Sequence, residues 1–164
     1  MSACSHEHHH ALHDVHGHHN VETRLAEAEV LCATTGARLT PLRKEVLALI
    51  LNATGPMGAY DLLAKIKSNA DRPAAPPTVY RTLDFLLEKG LIHRLTSIYA
   101  YIPCCHRREG HQAAFLICTD CKSVTEASAQ GLLQQLDALS AADGFTAQHS
   151  IIEISGICQQ CRHK

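Results

Sequence analysis

The stretch Pro76-Pro77-Thr78-Val79-Tyr80-Arg81-Thr82-Leu83-Asp84-Phe85-Leu86-Leu87-Glu88-Lys89-Gly90 decides how the first half of the chain is read. Pro77 suits the first helical position, where its missing N–H would have no helical partner anyway. A helix is therefore predicted over Thr78 to Lys89, with Gly90 as its C-cap. At helical spacing Val79, Leu83, Leu86 and Leu87 share one face, and Thr78, Arg81 and Phe85 the other. The first face belongs to a core. Arg81 then projects from the first turns of an exposed face, the part of a recognition helix that reaches base edges. There its planar fork can hold a guanine through two hydrogen bonds. An ordinary amphipathic surface helix has the same periodicity, which alone does not choose between the two.

The flanks complete the unit. Val21, Leu25, Ala28 and Leu31 recur at three-to-four spacing until Gly36 stops a first helix. Thr40 as N-cap and Pro41 at the next position open a second helix, carrying Val46, Leu47, Ile50 and Leu51. The turn Asn52 to Gly58 ends it, and a third helix is predicted over about Ala59 to Ala70. Beyond Gly90, Leu91 to Ile102 alternates around Thr96-Ser97 as a hairpin. Helices followed by a hairpin make a winged helix-turn-helix domain, residues 21–102. From Val21 to Ser97 there are ten Lys and Arg against eight Asp and Glu. One copy would hold DNA weakly, which argues for a dimer reading two half-sites.

Pro103 to Gly110 is polar and turn-like, so residues 103–110 are read as a hinge. Residues 111–164 then give a strand (Ala113–Ile117), a Cys pair, a strand (Ser123–Glu126), a helix (about Gln130–Ala142), Gly144, a strand to Ile157 and a second Cys pair. The fold class is α+β, a winged helix followed by a small α/β dimerisation and metal-binding domain. Two residues between cysteines let both thiolates reach one ion, and Cys118, Cys121, Cys158 and Cys161 complete a tetrahedral zinc shell. The 36 residues between the pairs exceed zinc-ribbon spacing, so the intervening helix and strand must fold back. The metal then ties the last strand to the first of that sheet. Redox dithiols are the competing reading, but one pair would suffice for redox work. A closed thiolate shell has no open position, which makes the site structural and not catalytic.

His93, Cys104, Cys105, His106, His111 and Glu126 fall between the wing and the second sheet. Singly, each is more often a packed or solvated residue than a ligand. Together they mix N, S and O donors, and a thiolate in a small tetrahedral shell favours zinc over Mn²⁺ or Fe²⁺. Composition agrees with metal binding: the 164 residues include 8 Cys and 13 His, with a formal net charge of −1 and so no global basic field. No apolar run approaches the roughly 18 residues a membrane span needs. Residues 1–20 carry eight His and two acids without an apolar stretch, which does not suit a secretory signal. The protein is expected to be cytoplasmic, with this segment a disordered, metal-collecting tail; an expression tag is the bland alternative.

Several stretches now carry a resemblance: Arg38-Leu39-Thr40-Pro41-Leu42-Arg43, Ala59-Tyr60-Asp61-Leu62-Leu63, Pro76 to Gly90, His111 through Cys121, and Gly156-Ile157-Cys158-Gln159-Gln160-Cys161. Over about residues 22–162 the chain resembles the ferric-uptake-regulator superfamily and, within it, the zinc uptake regulators. The resemblance implies a zinc-responsive transcriptional regulator and no enzyme. A zinc-loaded homodimer would bind palindromic operator DNA and repress zinc-uptake genes. It also implies two Zn²⁺ per chain: a structural ion on the four cysteines, and a regulatory ion on His93, Cys104, His111 and Glu126. The loop from Tyr101 to His111 is one residue shorter than in relatives and Cys105 adjoins Cys104, so the thiolate stays open between them. Tyr60 and Arg81 occupy base-contact positions of the family, and Thr78 and Tyr80 backbone-contact positions. The same fold could sense another metal or peroxide. A cytosolic zinc buffer would use the His and Cys content but leave the Pro76–Gly90 helix without a task, and a zinc hydrolase would need a His-Glu-x-x-His arrangement that the chain lacks.

Overall fold

The computed structural model describes residues 20–66, 75–104, 113–147 and 150–163. The His-rich tail expected over residues 1–20 lies outside them except for Asn20, as do Cys105, His106 and His111. Six helices and six strands are present among the described residues. The first half contains α1 (Val21–Thr34), α2 (Pro41–Leu51), β1 (Met57–Gly58), α3 (Ala59–Lys65), α4 (Pro76–Glu88), β2 (Ile92–Leu95) and β3 (Ala100–Pro103). The second contains β4 (Ala113–Cys118), β5 (Val124–Ser128), α5 (Gln130–Ala142), β6 (Ile152–Gly156) and α6 (Gln159–Arg162). Strands β1, β3 and β2 form an antiparallel sheet in that order; the second sheet runs β5-β4-β6, with β4 antiparallel to β5 and parallel to β6.

Local signals explain the boundaries. Asn20 caps α1 by accepting a hydrogen bond from the Glu22 N–H at 2.9 Å. Thr40 occupies the N-cap of α2 in extended conformation with Pro41 after it, as expected, but its hydroxyl makes no cap bond. Helix α4 begins one residue earlier than predicted: Ala75 is the N-cap and Pro76 the first helical residue. Both prolines fit the first turn, because neither position has an intrahelical N–H bond to lose. At the other end Lys89 is the C-cap, and Gly90, at φ +63°, is the residue after it. The Gly90 N–H donates to the Leu87 carbonyl and the Leu91 N–H to that of Leu86, closing a Schellman turn. Helix α3 stops at Lys65, with Ile66 already extended, so it is shorter than the predicted Ala59–Ala70; residues 67–70 lie outside the described set. The end of the expected turn, Met57-Gly58, pairs with β3 as the short strand β1.

The main core joins α1 to α4 through Ala28, Val46, Leu47, Ile50, Leu62, Val79, Leu83 and Leu86, all almost wholly buried. One residue of α4 that the helical-wheel reading left unplaced is buried, and another departs from that reading. Thr82 is buried, its hydroxyl returned to the Thr78 carbonyl at 2.9 Å. Phe85 is half-buried against the core instead of exposed with Arg81, because the Arg43 guanidinium lies 3.5 Å from its ring centroid and covers the outer side. A second cluster, Leu95 and Ile102 against Phe115 and Ile117, joins the hairpin to the second sheet. A third sets Leu133 of α5 on Ala114 and Ala129.

Candidate metal centre and recognition helix

The end of β4 places Cys118, and the following turn, with Lys122 at φ +61°, brings Cys121 back over it. Cys158 is the N-cap of the one-turn helix α6, and Cys161 lies within that turn. Parallel pairing sets Cys118 opposite Gly156, and the Thr119 N–H donates to the Gly156 carbonyl at 2.8 Å, so both cysteine pairs arrive at the same sheet end. The ligand sulfurs of Cys118, Cys121, Cys158 and Cys161 all lie within 4.8 Å of one another. Cys121 Sγ and Cys158 Sγ are 3.8 Å apart. A tetrahedral ion with bonds of about 2.3 Å to sulfur spaces its ligands about 3.8 Å apart, so four soft donors at this separation fit zinc. The close approach runs between the two motifs, an arrangement that a Cys-x-x-Cys dithiol working alone does not need.

The thiols are electrostatically unequal. Backbone N–H groups of Cys158, Cys121 and Asp120 lower the Cys118 pKa to about 6 against a smaller opposing effect of burial. The Cys158 N–H lies 3.4 Å from its sulfur. Hydrogen bonding with Ser123 lowers Cys121, whose Sγ is 3.2 Å from Ser123 Oγ. Burial, followed by the neighbouring thiols, raises Cys161. Crowded thiols share protons until a cation replaces them, which is the condition of a metal shell.

The other predicted ligands sit along the seam between the sheets. His93 is on β2 opposite Ile102, its ring centroid 5.1 Å from that of Phe115 on β4. Phe115 pairs with Glu126 on β5, so Glu126 belongs to the sheet face turned towards His93. Cys104 is buried one residue beyond β3, where its N–H donates to the Leu91 carbonyl at 3.1 Å. Its own carbonyl accepts from the Arg24 guanidinium, tying α1 to the seam. His111 and Cys105 fall outside the described residues.

On α4, Thr78, Tyr80 and Arg81 are exposed, while Val79 beside them is buried. Tyr60, in the first turn of α3, is 73% exposed. The four residues expected to face DNA thus lie on the outer surface of two helices joined by the main core. The sequence reading missed Glu153. Its carboxylate accepts hydrogen bonds from the Thr96 N–H at 2.6 Å and the Ser97 N–H at 2.9 Å, reaching from β6 to the wing turn. A single charge in Ile151-Ile152-Glu153-Ile154 was the available signal.

The Ferric uptake regulator family profile matches residues 34–155. The chain belongs to this family. It is 43% identical to the zinc uptake regulation protein of Escherichia coli (strain K12) over 138 residues, 84% of this chain and 80% of that protein. A zinc uptake regulator solved in complex with zinc and DNA matches with a TM-score of 0.82 at 41% identity, covering 88% of this chain and 96% of that one. Holo XcZur matches at 0.77, with 40% identity over 85% of this chain and 97% of its own. Apo XcZur matches at 0.50, with 38% identity over 87% and 98%. In shape the chain is nearer the holo form. No helix among the described residues is long and apolar enough to cross a membrane.

Proposed function

We propose that the protein is a cytoplasmic, zinc-responsive transcriptional regulator whose zinc-loaded homodimer binds palindromic operator DNA and represses zinc-uptake genes. The observation that carries this reading is a winged helix with an exposed Arg81 face, packed across a seam of nitrogen, sulfur and oxygen donors against a sheet braced by four cysteines. Residues 21–102 form the DNA-binding domain, 103–110 the hinge and 111–164 the dimerisation domain. Each chain holds two zinc ions, one on Cys118, Cys121, Cys158 and Cys161 and one on His93, His111, Glu126 and Cys104 or Cys105. Relatives named as zinc regulators support the choice of metal. A four-thiolate shell has no open position for substrate, and the protein acts as a regulator, not as an enzyme.

The switch is geometric. Filling the hinge adds a doubly charged ion and removes one thiol proton, a net gain of about one charge per chain, too little to control DNA binding at a Debye length of about 8 Å. Ligands drawn from both domains instead fix the angle at which two recognition helices meet successive major-groove faces. A hundredfold switch requires about 2.7 kcal/mol of coupling, and operator DNA tightens zinc binding by the same factor. The test is fluorescence anisotropy of a palindromic duplex across a buffered free-zinc series, with His93→Ala, Cys104→Ser and Cys105→Ser beside wild type. Wild type binds only above a zinc threshold, which His93→Ala and one of the two serine variants abolish while the four-cysteine ion stays in place. Binding that is absent, or indifferent to zinc, sinks the sensor and favours a zinc buffer.

A further inference from the structure

Strand β6 presents alternate faces. Ile152 packs with Ala114, Ala129 and Leu133 on the α5 side, whereas Glu153 pairs with Phe115 and shares the face that meets the wing. The wing turn begins where β2 ends at Leu95, so the N–H groups of Thr96 and Ser97 lie beyond the β2–β3 ladder. Within the turn the Tyr99 N–H reaches the Thr96 carbonyl at only 3.4 Å. The Glu153 carboxylate takes both consecutive amides, at 2.6 and 2.9 Å, across more than fifty residues of sequence. Two charge-assisted bonds from adjacent backbone donors fix direction as well as distance. Beneath them Leu95, Ile102, Phe115 and Ile117 form an apolar base, with Ile98 partly buried on it.

This contact reaches α4 through a short rigid path. Helix α4 enters β2 through the Schellman turn at Gly90, and Leu86, Leu91 and Ile92 lie in one core. Whatever docks the hairpin therefore docks the helix that carries Arg81. We propose that Glu153 is a positioning residue that clasps the wing turn to the second sheet and holds α4 at its DNA-binding angle, without itself touching DNA or either zinc. The proposal rests on the regulator reading above. Burial alone would raise the Glu153 pKa, but hydrogen bonds from Ser97 and Thr96 outweigh it and leave the carboxyl below its ordinary value, consistent with an anion held by donors.

Ser97 is the second residue of the turn, and neither Ser97 nor Ile98 has positive φ. Proline suits that position and removes both Ser97 donors to Glu153, its N–H and its hydroxyl, without disturbing the turn. The experiment uses full-length, zinc-loaded wild type, Glu153→Gln, Glu153→Ala, Ser97→Pro and the double variant Glu153→Ala/Ser97→Pro. The probe is a fluorescent duplex bearing the palindrome that wild type enriches from random-sequence DNA. Hydrogen exchange of the Thr96 amide is followed in parallel, and zinc content verifies that each variant is folded and loaded. Glu153→Ala and Ser97→Pro each weaken DNA binding about tenfold, the double variant is no more than threefold worse than either, and Glu153→Gln, which keeps one acceptor, recovers at least threefold over Glu153→Ala. Thr96 exchange accelerates at least tenfold in Glu153→Ala. Additive losses near a hundredfold in the double variant, or Glu153→Ala binding within twofold of wild type with a protected Thr96 amide, overturn the clasp. If wild type enriches no palindrome, the regulator reading fails, and Thr96 exchange alone decides: acceleration in Glu153→Ala keeps the clasp, wild-type protection removes it.

Discussion

Arg81 is the residue whose chemistry is hardest to replace. Lysine keeps the charge but loses the planar fork, and a bidentate base contact contributes about 1–3 kcal/mol of discrimination. Arg81→Lys should therefore bind the selected palindrome at least fivefold more weakly while binding random duplex at low salt like wild type; equal loss on both would place Arg81 on phosphate instead. Cys118 makes a second prediction. Zinc binds the thiolate, so below about pH 6 its proton competes and above that pH it does not. A chelator competition across pH should show log affinity for the four-cysteine ion falling more steeply, by one further proton, on the acid side of about 6. At this scale the sequence was legible where chemistry is local, as in two Cys-x-x-Cys motifs. It was not legible for Glu153, whose partners are backbone amides 57 and 56 residues away that no side-chain pattern marks.

Among the elements, α4 shows what periodicity can and cannot decide. Its buried set Val79, Leu83 and Leu86 follows from spacing, but Phe85 leaves the exposed face because Arg43 of α2 covers it. That pairing joins two helices and could not be read from one. Replacing Phe85 by leucine keeps most of the apolar contact and removes the ring, which should cost about 1 kcal/mol in urea unfolding; no loss would make the stacking incidental. The start of α4 was misplaced by one residue because two adjacent prolines both suit the first turn. Gly90 is a cleaner case. A Cβ there would meet nothing within 4 Å, so any penalty comes from its φ of +63° alone. Gly90→Ala is expected to destabilise the fold by about 1–2 kcal/mol, and a cost near zero would mean the turn relaxes.

For the whole molecule the informative surface lies on the far side of the second sheet. Leu132, Leu136 and Leu139 recur along α5 while Leu133 faces inwards, and Leu116 and Ile154, neighbours across β4 and β6, are also substantially exposed. This much apolar surface suits the proposed homodimer, in which a second copy covers it. Leu136→Glu should give a monomer by sedimentation that keeps the four-cysteine zinc and loses most operator affinity; a dimer that persists would move the interface elsewhere. The division into helices-plus-hairpin and a cysteine-bearing sheet was readable because composition changes along the chain. The docking of one half on the other was not, since it depends on which face of β4 and β6 meets the wing.

The parallel pairing of β4 with β6 also has a consequence in time. Cys118 and Cys121 are synthesised 40 and 37 residues ahead of Cys158, and at roughly 5–20 residues per second a ribosome takes about 2 to 8 s to cover that gap. Through that interval the nascent chain carries half a coordination shell, without the Cys158 N–H that in the finished fold does most to lower the Cys118 pKa. A thiophilic cation or an oxidant meeting it then finds two sulfurs not yet gathered with the other two into one cluster. Birth, more than mature life, is when this chain is most exposed to the metal status of the cell.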